Sequence, residues 1–515
     1  MKRLFAMLPL LAMLLTGCAA PNAATNESAN TQQVEQNADS AGSKQVRPDR
    51  TKKENEPEGI AHFELNEIFQ NLMDDVNAKH EAVTVYNGEY EQYLVQNKEP
   101  GFNFFDYVTS SAALLPDGSV VLTLEQVTED MDIFYKTLRT EYGGYSYFGG
   151  DEVFRAAVDA VIADCSTVDT ITVAALYNSA MDHFGFLKDQ HFSINNVDIE
   201  GHEHILPFFF REIAYQKTEI GYATPGGKVV DSVDGYEDLD ELFKLSLTRD
   251  GDLVYYPILL EPSEDPHGGK VVCDTILTVR YTDGSTGALI ADDFYLKGGS
   301  GNSVDIREEN GIPVITPRSF GSDSNALNFV KSAKDYKDRD IVMLDLRFNG
   351  GGNMDTVSSW FSAFTSHVVS ANSLSIVSGS SVDPAWKKAQ NHPDEEMVSI
   401  DNVCIMLSSK GSFSAAEWMI DCGWNMKNTL IVGENTSGGL TAYGQYVVTL
   451  PNSGIFLTFG PSLALHPEGH FEEYRGYYPD IWCPAGEAKE AVMNFIAKNT
   501  TVTYDQVKTQ RRTTR

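Results

Sequence analysis

The residues in this chain best suited to chemistry are a serine that opens a helix and three glycines that close an apolar strand. The glycines end VMLDLRFNGGG, residues Val342 to Gly352. The serine is Ser414 in NVCIMLSSKGSFSAAEW. Glycine lets a backbone lie close to a ligand with its N–H groups exposed. A serine at a strand-to-helix turn holds its hydroxyl in the open, near the positive end of the helix dipole. Together they offer donors for an oxyanion and a nucleophile, the two needs of acyl transfer. A serine at a helix start is usually only an N-cap. Here the preceding strand, the glycine-rich partner loop and the small residues Ala415 and Ala416 point further, with the Ala415 N–H directed at a substrate carbonyl.

Both turns need a frame. From about Ile312 to Lys498 strand and helix patterns alternate. Strands are expected at Pro313–Thr316, Ile341–Leu346, Val403–Leu407 and Leu430–Val432, and helices at Ala326–Ala333, Thr356–Phe364 and Ser414–Met426. Such alternation implies βαβ units and a mainly parallel sheet covered by helices. Both turns then fall at C-terminal strand ends, where open α/β sheets place their sites.

The remainder divides by composition. Residues 1–18 read as a lipoprotein signal peptide. Lys2 and Arg3 precede an apolar run, and Leu15-Thr16-Gly17-Cys18 resembles a bacterial lipobox, with Cys18 the lipidation site. Residues 19–58 are polar and read as a disordered tether. Residues 59–204 read as a mainly helical N-terminal region. In it Thr123 and Gln126 have capping-box spacing, and Asp151 is expected to cap a second helix. Residues 205–304 read as a small, mostly β module resembling a degenerate PDZ domain, with a helix over Leu239–Leu247. Residues 305–498 read as an α/β domain that carries both turns, and residues 499–515 as a polar C-terminal tail.

The net charge of −34 is spread along the chain and argues against nucleic-acid binding. Beyond Cys18 the cysteines are Cys165, Cys273, Cys404, Cys422 and Cys483, an odd number without CxxC spacing, and read as buried free thiols. No HExxH or other metal-ligand cluster is visible, so neither a metal nor an organic cofactor is expected.

The motifs DLRFNGGG, GSFSAAE, GENTSGG and EYRGYYPD, in this order, resemble the serine peptidase family of the C-terminal processing peptidases and the tricorn core protease. The resemblance covers roughly residues 120 to 495. It implies a ClpP/crotonase-like catalytic domain, often with a PDZ-like insert, and cleavage of peptide bonds. The processing-peptidase branch uses a lysine where this chain has Gly439, so a Ser–Lys dyad is absent. Lys410 and Lys427 do not match that position and read as solvated. The tricorn-like branch uses a histidine, which the resemblance places at His191 in Asp189-Gln190-His191. Glu473 matches the acidic member of that relay, orienting the histidine side or stabilising the imidazolium. Gln190 stands where the tricorn pattern has a linking serine. The oxyanion donors are expected to be the N–H groups of Gly351, Gly350 and Ala415. Asp345 and Arg347 read as an ion pair that fixes the strand end.

The expectation is a serine peptidase tethered to a membrane by its N-terminal lipid, facing outside the cytoplasm and acting on peptides or proteins. Ser414 would be the nucleophile and His191 the general base, with activity rising through roughly pH 6 to 7.5. A silent relative that binds surface peptides or glycans is the first alternative. A crotonase-type acyl-CoA enzyme is the second, and the export signal argues against it.

Overall fold

The computed structural model describes residues 59–505 apart from 84, 95–98, 100, 110–113, 200, 264–269, 296–300, 302, 378–380 and 383–396. The signal peptide, Cys18 and the tether lie outside the described residues, as does the end of the C-terminal tail.

Among the described residues nine strands form the central sheet, in the order Val304–Glu309, Ile312–Pro317, Ile341–Asp345, Val403–Ser408, Thr429–Gly433, Ile481–Trp482, Phe243–Leu247, Leu253–Ser263 and His204–Phe209. The run from Ile312–Pro317 to Phe243–Leu247 is parallel. Both outer flanks are antiparallel. The parallel strands are buried on both faces, so they read as continuous apolar runs. Val342, Leu344, Cys404, Met406 and Ile431 face one core with helices Ser324–Tyr336, Met354–Thr365 and Ala415–Trp424. Ile341, Met343, Ile405, Leu407 and Val432 face the other, with helices Glu67–Glu81 and Ala488–Asn499.

Helices Leu124–Glu141, Gly150–Ser166 and Val173–His183 build a second body. The Thr123–Gln126 capping box is present. Asp151 is not a cap: Gly149 precedes the helix, and Asp151 instead binds Arg139 and Tyr145. These helices share one core with Ala442, Val448, Leu457 and Phe459 from the C-terminal third of the chain. Strand Ser193–Ile194 pairs with Phe456–Phe459, which fixes the preceding turn, residues 189–191, against the catalytic region.

Three expectations need correction. Residues 205–304 are not a self-standing module, because Phe243–Leu247 and Leu253–Ser263 extend the central sheet. A smaller sheet of Val230–Val233, Ile276–Tyr281 and Thr286–Ile290 is built onto that flank, and its Val279 and Leu289 share one apolar cluster with Leu206, Phe243 and Leu259 of the flank strands. The helix expected over Leu239–Leu247 is one turn, Leu239–Leu242, and then becomes strand, because sheet pairing outweighs local helical preference. The start of the polar tail is likewise ordered by pairing: Thr500–Tyr504 lies antiparallel to Ala61–Leu65.

Candidate active site

Strand Val403–Ser408 runs into a turn from which helix Ala415–Trp424 departs, and Ser414 sits at the joint with φ 55° and ψ −119°. A non-glycine residue at positive φ is costly and persists only where its surroundings over-determine it. Here they do. The Ser414 N–H donates to Glu417 Oε2 at 3.0 Å. Glu417 is fully buried and also accepts from the Gly439 N–H, the Gly438 N–H and the Thr436 hydroxyl. Burial raises its pKa, and these four hydrogen bonds oppose the shift. The Phe413 N–H reaches Asn349 O at 3.0 Å and ties the turn to the glycine loop.

His191 lies 223 residues earlier in the chain, yet its Nε2 is 3.0 Å from Ser414 Oγ. Its turn is organised by Asp189, whose Oδ1 accepts the His191 N–H at 2.8 Å and whose Oδ2 accepts the Tyr142 hydroxyl at 2.8 Å. The His191 ring stacks on Phe413, with centroids 4.7 Å apart and planes 20° from parallel. Burial pulls its pKa down to about 4, so the imidazole is neutral over the ordinary pH range. On this ground the acid limb of activity is expected below the range of 6 to 7.5. A neutral imidazole beside a serine hydroxyl can take its proton.

Glu473 reaches the histidine turn through the Gln190 backbone rather than through the imidazole. Among the described residues it makes no hydrogen bond to His191. Its carboxylate accepts the Gln190 N–H and the Thr441 N–H, each at 2.9 Å. His191 Nδ1 is buried without a partner among the described residues. Gln190 is no bridge to the imidazole either, since its amide binds the carbonyls of Ser437 and Gly438. Burial raises both Asp189, to about 7, and Glu473, which the neighbouring Asp189 raises further.

The glycine loop also departs from its expected part. The Gly351 N–H donates to Asn349 Oδ1 at 2.8 Å, and the Gly350 N–H to Arg318 O at 3.4 Å. Neither is a free donor, because Asn349 and the chain near Arg318 turn the loop's own N–H groups inward. Of the three expected donors, only the Ala415 N–H has no acceptor among the described residues. Gly351 matters by its proximity instead. At φ +91°, a Cβ there would stand 2.7 Å from Ser414 Cβ and 2.8 Å from Phe413 O.

Asp345 and Arg347 form the expected pair, with two 2.7 Å contacts. Lys410 is not solvated, against the expectation. It is 3% exposed, and its Nζ binds the carbonyls of Thr436, Ser437 and Tyr474 at 2.8, 2.8 and 3.0 Å. Burial lowers its pKa to about 7. Lys427 is partly exposed and pairs with Glu81. Phe413, Asn349 and Tyr142 were also missed. An aromatic beside the serine was the one available sign of Phe413. Cys165, Cys404, Cys422 and Cys483 are buried and unbridged. Among the described residues no group of three His, Cys, Asp or Glu side chains could hold a metal, and no helix is long and apolar enough to cross a membrane.

A parallel α/β sheet carrying a serine at a strained strand-to-helix joint, with a histidine at hydrogen-bond distance, describes a serine-hydrolase class of site. The model described as Peptidase family S41 matches residues 311–482, from the first parallel strand to the last before the flank. This likeness of residues 311–482 to peptidase family S41 marks the chain as a serine-type peptidase. The matched stretch includes Ser414 and Glu473 but not His191. Among solved structures, mature CPAF is 13% identical, with a TM-score of 0.38, covering 74% of this chain and 99% of that one. The photosystem II D1 C-terminal processing protease is 15% identical, with a TM-score of 0.36, covering 71% and 94%. A lipoprotein from Streptococcus agalactiae is 12% identical, with a TM-score of 0.35, covering 76% and 99%. No curated protein matches the chain.

Proposed function

We propose that the chain hydrolyses peptide bonds through an acyl-enzyme on Ser414, with His191 as general base, outside the cytoplasm and anchored to a membrane by lipid on Cys18. The observation that carries the catalytic part is the 3.0 Å approach of His191 Nε2 to Ser414 Oγ across 223 residues of sequence. That approach also disfavours a silent peptide- or glycan-binding relative, which has no need of it.

Ser414 Oγ attacks the scissile carbonyl carbon while its proton passes to His191 Nε2. The oxyanion forms facing the Ala415 N–H. His191 then gives the proton to the leaving amine as the C–N bond breaks. Water, deprotonated by His191, attacks the acyl-enzyme, and Ser414 regains its proton as the acid product leaves. Glu473 and Asp189 act through the backbone, holding the N–H groups of Gln190 and His191.

A biotinylated fluorophosphonate tests the catalytic part. The full chain should be labelled at Ser414, Ser414→Ala not at all, and His191→Ala about 100-fold more slowly or less. Equal labelling of the Ser414→Ala chain would overturn the assignment. The anchor rests on Leu15-Thr16-Gly17-Cys18 ahead of a polar stretch. Cys18→Ser should abolish incorporation of a palmitate analogue and release the protein from membranes, and unchanged incorporation would refute it.

A further inference from the structure

His191 is oriented in an unusual way for a histidine beside a serine. Its Nδ1 is buried and meets no acceptor among the described residues. The two carboxylates of the neighbourhood are both engaged elsewhere. Asp189 holds the His191 N–H and the Tyr142 hydroxyl, and Glu473 holds the N–H groups of Gln190 and Thr441. The imidazole approaches Ser414 Oγ and stacks on the face of Phe413.

Phe413 is built in rigidly. Its N–H donates to Asn349 O, and its carbonyl accepts the Ala416 N–H, each at 3.0 Å. Behind the ring lies Gly439. A Cβ at that position would stand 2.0 Å from Phe413 Cε2 and 2.8 Å from Cδ2, so the ring fills the space any side chain there would claim. Gly439 is itself fixed, its N–H on Glu417 Oε2. The ring is held between an obligatory glycine and the imidazole.

We infer that Phe413 is the positioning residue for His191, its ring doing by stacking what a carboxylate on Nδ1 would otherwise do. The inference rests on the reading of Ser414 and His191 as nucleophile and base. An aromatic face fixes the plane of the imidazole and keeps Nε2 aimed at Ser414 Oγ without adding a charge to the buried site. Gly439 is the other half of the device, since only a residue without Cβ leaves the ring its place.

The test is the rate of fluorophosphonate labelling of the full chain, resolved into kinact and KI, with melting curves taken alongside. In that reaction an Oγ–P bond forms, the P–F bond breaks, fluoride leaves and the serine proton passes to His191. Phe413→Leu keeps apolar bulk but removes the flat face. It should lower kinact about tenfold or more with KI nearly unchanged, as misplacement of a reacting group does. Phe413→Tyr should restore kinact to near the parent value. Gly439→Ala leaves Phe413 in the chain but displaces its ring, and should lower kinact comparably. Added to Phe413→Leu, it should cost little more. This second variant keeps the test open if Phe413→Leu does not fold. Parent-like kinact in both Phe413→Leu and Gly439→Ala would overturn the inference alone. Absence of labelling at Ser414 in the parent chain would overturn the reading beneath it, and the inference with it.

Discussion

The turn that carries Ser414 and the turn that carries His191 meet at 3.0 Å but are held by different means. The serine turn grows from a fully buried parallel strand, and its strained backbone is fastened by a carboxylate that accepts four hydrogen bonds. The histidine turn comes from the helical body. Asp189 and Glu473 fasten its backbone, one bond each to the His191 and Gln190 N–H groups, while its imidazole rests on an aromatic face with Nδ1 unpaired among the described residues. A hydrogen-bonded carboxylate can hold a backbone conformation that sterics disfavour, whereas a stacked ring fixes a plane and leaves the proton-accepting nitrogen unburdened. The nucleophile side should therefore fail with loss of fold, and the base side with loss of rate.

The largest effect expected is at Glu417. Glu417→Ala leaves the N–H groups of Ser414, Gly438 and Gly439 and the Thr436 hydroxyl without their acceptor in a buried site. An orphaned buried donor costs about 1–3 kcal/mol, so a loss of about 3 kcal/mol or more is expected for the group. Denaturant unfolding should show the drop in stability, together with loss of labelling at Ser414. A Glu417→Ala chain of parent stability would remove the distinction between the two turns.

How much of this was legible before folding follows from what each residue type announces. The parallel strands were readable because burial on both faces leaves unbroken apolar runs such as Ile341–Leu346. Ser414 was readable from its turn, and His191 only through the resemblance. Phe413 and Gly439 were not, since a phenylalanine reads as core and a glycine as a turn, and their contact exists only once residues 26 apart are brought together. Lys410 read as solvated because lysine usually is. Here the backbone carbonyls of two separate segments replace water around it. The attachment of residues 243–263 to the central sheet rests on pairing with Trp482, a partner more than 200 residues away that no local pattern displays.

The next effect concerns pH and belongs to the base side. Burial holds His191 near 4, below its ordinary 6.5. An unfolded chain therefore binds a proton at His191 that the folded chain refuses between these values. The stability this residue contributes is present above about pH 6.5 and is lost as pH falls toward 4. Melting curves across that range should be less steep in pH for His191→Phe than for the parent. The acid limb of kcat/KM should also lie near 4 rather than near 6.5. A limb at 6.5 would mean that the imidazole is hydrated in the working enzyme and that the stack does not enclose it.

The smallest effect expected is at Tyr142, which separates the backbone of the histidine turn from its ring. Tyr142→Phe keeps the ring among its aromatic neighbours Phe148, Phe154 and Phe192 and removes only the hydroxyl that binds Asp189 Oδ2. Asp189 loses one of its two partners but keeps the His191 N–H on Oδ1. The lost bond also helped to hold down the Asp189 pKa, so the carboxyl should take up a proton more readily without it. A neutral carboxyl still accepts a hydrogen bond, so the turn should persist. A stability loss of about 1–3 kcal/mol is expected, with only a few-fold fall in the labelling rate at Ser414. Denaturant unfolding and fluorophosphonate kinetics on the same samples check both numbers. If Tyr142→Phe abolishes labelling while the chain stays folded, the imidazole depends on the hydrogen-bonded backbone as strictly as Ser414 depends on Glu417. The two turns would then be held by the same means after all.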